Sequence, residues 1–225
     1  MRSRGLLFVL LFGLLVHVAA LAESQQRTFT WSFAMRAWTL DASISVERYR
    51  FFRTQPRLLG HTNYTGYVTD ERDDDDLERL IGQLGTLAAD AGFDAWQRLN
   101  FVIAFVQAIP YASEDAEYPR YPLETLYEQR GDCEDLSILA AALLRAMGFD
   151  VILLAFVDEG HMAIGVNVQP QTDGTHAAYE WNQRLYYYVE TTYPGWAIGQ
   201  QPIGFLSPPS IVAFQPTTLA APQQR

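Results

Sequence analysis

The chain has 225 residues, of which 13% are aromatic and 19% charged, and a formal net charge of −10. That length suits one domain with a substantial core, and the aromatic content argues against disorder. The acidic balance argues against nucleic acid or an anionic membrane surface as a partner, and all sixteen basic residues are arginine, so the chain has no lysine to offer as an amine acceptor.

Residues 1–22 read as a targeting segment. Arg2 and Arg4 precede an apolar stretch from Gly5 to Ala20, and Ala20-Leu21-Ala22 supplies a small-x-small cleavage site. The expectation is an exported protein, periplasmic or extracellular. If the leader is not cleaved, residues 5–21 are a membrane anchor, and no other membrane contact is expected. Residues 23–70 read as an N-terminal β extension of one or two hairpins. Thr28, Thr30 and Ser32 alternate there with Phe29, Trp31 and Phe33, and strand character continues from Trp38 to Phe52.

The run Asp73 to Asp76 reads as solvated acids at the positive end of a helix, with a metal site as the weaker alternative. That helix carries Leu77, Leu80, Ile81, Leu84 and Leu87 at 3.6-residue spacing. Asp94 caps a second helix ending before Pro110. A tyrosine-bearing loop then leads to Pro122, the first residue of a short helix.

Gly131-Asp132-Cys133-Glu134-Asp135 holds the chain's single cysteine, with Asp132 as the cap of a helix apolar on nearly every side. In an exported protein a lone thiol has no disulfide partner in its own chain, which makes it a candidate reactive group. The start of a helix favours the thiolate, whereas flanking acids oppose it. The alternative is an inert core cysteine. Val151 to Val157, His161 to Val168 and Tyr186 to Thr192 read as strands, with Gln169 to Asn182 as a loop. The end, residues 201–225, reads as a Pro-rich tail. The order, helices followed by an antiparallel sheet, predicts an α+β domain.

A cysteine nucleophile needs an imidazole, and the imidazole needs an orienting group. His161 starts a strand on the same face as Ala163 and Gly165, small neighbours that leave room for a cleft. Glu190 is the only acid in its aromatic strand, and pairing with a histidine would offset its desolvation. His61 and His176 lie in the β extension and a polar loop.

These segments resemble the transglutaminase-like superfamily. The matching residues are Tyr121-Pro122-Leu123-Glu124-Thr125-Leu126, Gly131-Asp132-Cys133-Glu134-Asp135, Gly160-His161-Met162 and Val189-Glu190-Thr191-Thr192, within about Leu77 to Trp196. The resemblance implies a papain-like core (residues 71–200) in which a buried helix led by the cysteine packs on an antiparallel sheet. Carried over, Cys133 is the nucleophile, His161 the general base and acid, and Glu190 the orienter, where relatives commonly carry aspartate. The implied chemistry is a thioester acyl-enzyme formed from an amide of a protein or peptide substrate. Water as acceptor gives a peptidase or isopeptidase; an amine acceptor gives a transglutaminase. The remaining alternative is a non-catalytic module that binds peptide or cell-wall polymer.

Gln107 is a further candidate as an oxyanion donor, with Tyr121, Tyr188 and Trp196 as candidates lining the cleft. The resemblance requires no cofactor. It raises one metal candidate, calcium at Asp132 and Glu134, although two acids supply few of the six to eight oxygens calcium takes. A monomer is the expected state.

Overall fold

A computed structural model describes residues 23–57, 64–114, 116–171, 173–205 and 207–215. The expected leader and its anchor, His61, and the end of the Pro-rich tail lie outside the described residues. Among the described residues no helix is long and apolar enough to cross a membrane.

The expected hairpin forms from β1 (Ser24–Phe33) and β2 (Arg36–Ser45), antiparallel and joined through Ala34 and Met35, both at positive φ. This two-residue turn matches the strands' twist. Alternation buries Phe29 and Trp31 on one strand and Trp38, Leu40, Ala42 and Ile44 on the other. The buried face packs on α4 (Ala95–Gln107), with Trp31 5.1 Å from Phe101 and Phe29 5.1 Å from Phe105. The β extension therefore shares the main core.

Strand character does not continue to Phe52. Ser45 ends β2 and caps α1 (Val46–Arg53), its Oγ accepting from Arg48 N. Glu47 in the first turn and Arg50 and Arg53 in the last suit the helix dipole. A short turn of helix, α2 (Thr65–Val68), follows. α3 (Asp74–Asp90) starts at the acidic run, which is only partly solvated: Asp73 and Asp76 are buried. Asp76 pairs with Arg48 at 2.6 Å and with Arg79. Burial, followed by the charges of Asp70 and Asp74, pushes the Asp73 carboxyl up to about 8.

Asp94 closes a capping box with Gln97 at the start of α4. Pro122 opens α5 (Pro122–Glu128). α6 (Cys133–Ala146) begins at the Asp132 cap, paired reciprocally with Asp135. From Leu136 to Leu144 every residue of α6 is buried, as expected for a helix apolar all round. A Cβ at Gly131 would stand 2.6 Å from the Cβ of Asp135, so glycine alone lets the chain enter the cap so closely.

The second sheet is antiparallel throughout, in the order β5-β6-β4-β3-β7. Its strands are β3 (Val151–Phe156), β4 (His161–Val166), β5 (Ala178–Trp181), β6 (Arg184–Val189) and β7 (Ser210–Ala213). Two of them fall in expected loops. β5 forms a hairpin with β6 through Asn182 and Gln183, both at positive φ, and β7 covers the outer edge of β3. The fold is α+β, with the cysteine helix packed on one face of an antiparallel sheet.

The other face is not open. Ile152, Leu154, Phe156, Ala163, Tyr186 and Tyr188 form a second apolar cluster there. A Cβ at Gly165 would stand 2.9 Å from both Ile152 and Tyr186. The small residues Ala163 and Gly165 thus admit bulky neighbours and do not make the expected cleft.

Candidate active site

Cys133 begins α6 and His161 begins β4, and this places both at one end of the helix–sheet sandwich. They line a single cavity of about 180 Å³, together with Tyr64, Glu117, Glu134 and Met162. α6 is tied to the sheet beside this cavity by Ser137, whose Oγ donates to Met162 O at 3.1 Å and lies 3.0 Å from Thr191 Oγ1. The helix start is held from the other side by Asp135. Its carboxylate accepts from Arg120 N at 2.6 Å, pairs with the Arg120 guanidinium, and accepts from Asp132 N at 3.3 Å. Arg120 and Asp135 are both buried, so each charge has a partner where solvent cannot reach it.

His161 Nε2 lies 3.1 Å from Glu190 Oε2. Glu190 is 2% exposed, and every acceptor site it needs is filled. Oε2 also accepts from Tyr188 OH at 2.7 Å. Oε1 accepts from Thr191 N and Thr192 N, each at 3.0 Å, and from Thr192 Oγ1 at 2.6 Å. Burial pushes this carboxyl up, but the bonds from His161, Thr192 and Tyr188 outweigh burial and hold it at about 2. It is a carboxylate at every ordinary pH. Aspartate would be one methylene shorter here, and Glu190 reaches the imidazole from the end of β6.

The thiol is in a different condition. Sγ donates to Glu134 Oε2 at 3.3 Å, and among the described residues no hydrogen bond joins it to the imidazole. Burial and then Glu134 push its pKa well above that of an ordinary thiol, against a smaller opposing effect from the Met162 amide. The pull of the helix start towards thiolate is outweighed. We expect iodoacetamide at pH 7 to alkylate Cys133 more slowly than a model thiol. Glu134→Gln should speed the reaction, by about tenfold for each pKa unit recovered. Pseudo-first-order alkylation rates read by intact mass would check this, and an unchanged rate in the variant would remove Glu134 as the cause.

Four expected site residues have other duties. Gln107 directs Nε2 at two carbonyls, Glu190 O at 2.8 Å and Trp196 O at 3.0 Å. Both amide hydrogens are spent anchoring the acid's segment to α4, so no donor remains for an oxyanion. Tyr121 is buried at the α5 cap, 4.5 Å from the Phe52 ring and 4.6 Å from that of Tyr67. Tyr188 is buried behind the acid as its hydroxyl donor. Trp196 is half-buried and, like Tyr121 and Tyr188, is not among the residues lining the thiol's cavity. His176 is half-buried, its ring 6.2 Å from that of Tyr187.

Tyr188 and Thr192 are the acid's supports, and their spacing from Glu190, two residues either way, was the available signal. Tyr64 and Glu117 also enter the cavity, with Tyr64 OH donating to Glu117 Oε1 at 3.3 Å. Neither stood out in the sequence.

Asp132 gives an oxygen to Asp135 N as the helix cap, and its carboxyl is pushed up to about 7 by burial and then by Glu134. Among the described residues no group of three or more His, Cys, Asp or Glu could hold a metal ion. Asp132 and Glu134 alone do not fit a calcium ion's coordination shell.

No curated protein matches the chain. Among solved structures it is similar to a candidate cysteine protease from Cytophaga hutchinsonii, at 14% identity and a TM-score of 0.37, covering 75% of this chain and 62% of that one. It is similar also to LapG from Legionella pneumophila, at 15% identity and 0.35, over 52% of this chain and 72% of that one. A TGase is similar at 14% identity and 0.37, over 82% and 48%. The chain thus spans less than two thirds of the length of the first of these. The family model of the transglutaminase-like superfamily matches residues 88–153, and His161 and Glu190 lie beyond that segment. From Ala88 to Leu153, a stretch that contains the thiol and its whole helix, the chain is similar to the transglutaminase-like superfamily.

Proposed function

We propose that the chain is an exported cysteine-dependent amide hydrolase acting on protein or peptide substrates. One observation carries this reading: Cys133 and His161 line the same cavity while a fully bonded carboxylate, Glu190, holds the imidazole. A buried carboxylate beside Nε2 favours the tautomer with the proton on that nitrogen. The Nδ1 lone pair then remains to take the thiol proton as Sγ attacks the amide carbonyl. The tetrahedral intermediate collapses when His161 returns that proton to the leaving nitrogen, and a thioester on Cys133 remains. Water, deprotonated by the same nitrogen, attacks the thioester; the acid product leaves and the thiol regains its proton. The backbone N–H of Cys133 at the helix start would supply oxyanion stabilisation. No step runs through a metal.

A second reading is transfer to an amine. Glu117 and Glu134 line the cavity, and among the described residues neither pairs with an arginine or histidine. Two such carboxylates would welcome a protonated amine beside the thioester. The two reactions separate by their products. Casein incubated with the protein and a fluorescent primary amine should yield new carboxylates and peptide termini without bound fluorophore. Fluorophore incorporation equal to or above hydrolysis would assign acyl transfer, and neither product would leave the binding module.

A further inference from the structure

Away from the thiol, a second groove runs between the β extension and the loop that precedes α5. Its volume is about 790 Å³, four times that of the cavity at Cys133, within the range of a binding site. It is lined by four arginines, Arg27, Arg53, Arg120 and Arg130, against two glutamates, Glu114 and Glu128. Buried Asp135 matches Arg120 from behind the lining, which leaves a surplus of one positive charge, on a chain whose net charge is −10.

The two glutamates are already shared. Glu128 pairs with Arg53 at 3.4 Å, Arg120 at 3.2 Å and Arg130 at 3.7 Å, and accepts from Tyr49 OH at 3.0 Å. Glu114 pairs with the buried Arg120. Arg27 has no carboxylate partner among the described residues: its Nε donates to Tyr127 O at 2.6 Å and its guanidinium lies over the Tyr127 ring at 4.3 Å. Tyr127 stacks in turn on Tyr49 at 3.8 Å, which makes a fixed aromatic wall. Arg27 is therefore held by a ring and a carbonyl, and Arg130, 57% exposed, is held among the described residues by Glu128 alone, whereas the donors of Arg120 are taken up by Glu114, Glu128 and Asp135. Fixed guanidiniums favour planar, bidentate recognition of carboxylates.

We infer that this groove is an exosite for an acidic segment of a polypeptide, one presenting several Asp or Glu side chains. A chain with surplus negative charge elsewhere would repel such a segment, so charge confines it to this face. The inference concerns binding alone and stands apart from the chemistry at Cys133.

Fluorescein-labelled hexaglutamate and hexaserine peptides, titrated against the full chain and read by anisotropy, test it. Hexaglutamate should bind and hexaserine should not, and binding should weaken as sodium chloride rises from 50 to 500 mM. Arg130→Glu, at an exposed position, should weaken hexaglutamate binding by about fivefold, and the double variant with Arg27→Ala by more than about tenfold. Thermal melts of both variants confirm that they fold, and the single variant carries the test should the double one not. Equal binding of the two peptides, or unchanged affinity in folded Arg130→Glu, would overturn the inference. So would binding of inorganic phosphate or of anionic lipid vesicles in place of hexaglutamate. Cys133→Ala should bind hexaglutamate as the wild type does, so failure here leaves the hydrolase reading intact.

Discussion

Cys133→Ala should abolish turnover, by about four orders of magnitude or more, and leave the fold nearly unchanged. Sγ is the atom that would bond to the acyl group, and no other thiol exists in the chain to replace it. Stability should respond little, because the side chain keeps its Cβ and loses one sulfur from a site that is 8% exposed. The loss should be about 1 kcal/mol or less, which is about 2–4 °C in Tm for a chain of this size. Part of that loss is the hydrogen bond from the thiol to Glu134. Parallel assays of product formation and thermal melting check both halves. Turnover that survives the substitution would remove the mechanism, and a collapse of Tm would make Cys133 a packing residue.

Glu190→Gln should be the second large effect, and its cause is geometric. Oε1 faces two backbone amides and the Thr192 hydroxyl, which cannot all turn away. The glutamine oxygen must stay there, so its NH2 faces His161. Nε2 must then accept a hydrogen bond, the ring proton moves to Nδ1, and the lone pair that would take the thiol proton is lost. Turnover should fall by about 10³–10⁴-fold.

The same variant has a signature in pH. Because the folded pKa of Glu190, about 2, lies below the ordinary 4.5, its stabilisation is fully present above about pH 4.5. It fades as pH falls through the folded value. The difference amounts to about 3 kcal/mol at about 1.4 kcal/mol per pKa unit. Urea unfolding of wild type and Glu190→Gln should therefore differ most near pH 6 and converge towards pH 2. A constant gap across that range, or a turnover loss below tenfold, would deny Glu190 its charged, orienting role.

The elements most legible in the sequence were those with their own capping and periodicity. α6 combines the Asp132–Asp135 box with an unbroken apolar run, and β1 alternates cleanly between Trp31 or Phe29 and polar neighbours. α1 was read as strand because Tyr49, Phe51 and Phe52 are strand-favouring residues; the Ser45 cap and the packing of Phe52 decided otherwise. β5 and β7 are four residues each and owe their existence to pairing with β6 and β3, which local patterning does not encode.

At the site, Cys133, His161 and Glu190 were legible by chemical type and order. What those side chains touch was not. Gln107, Tyr121 and Tyr188 all sit near the expected place in the fold, yet each points its polar or aromatic group into the supporting structure. The thiol's pairing with Glu134 depends on a side-chain direction at the first turn of α6. The acids flanking the cysteine gave only a hint of it.

The most direct measurement is capture of the acyl-enzyme. A peptide amide substrate mixed with the protein, quenched in acid within one turnover and digested for mass spectrometry, should give an acyl mass on the Cys133 peptide. In His161→Ala that adduct should form at least about a thousandfold more slowly. Turnover without an adduct at Cys133, or an adduct formed as fast without the imidazole, would contradict the pairing of these two residues.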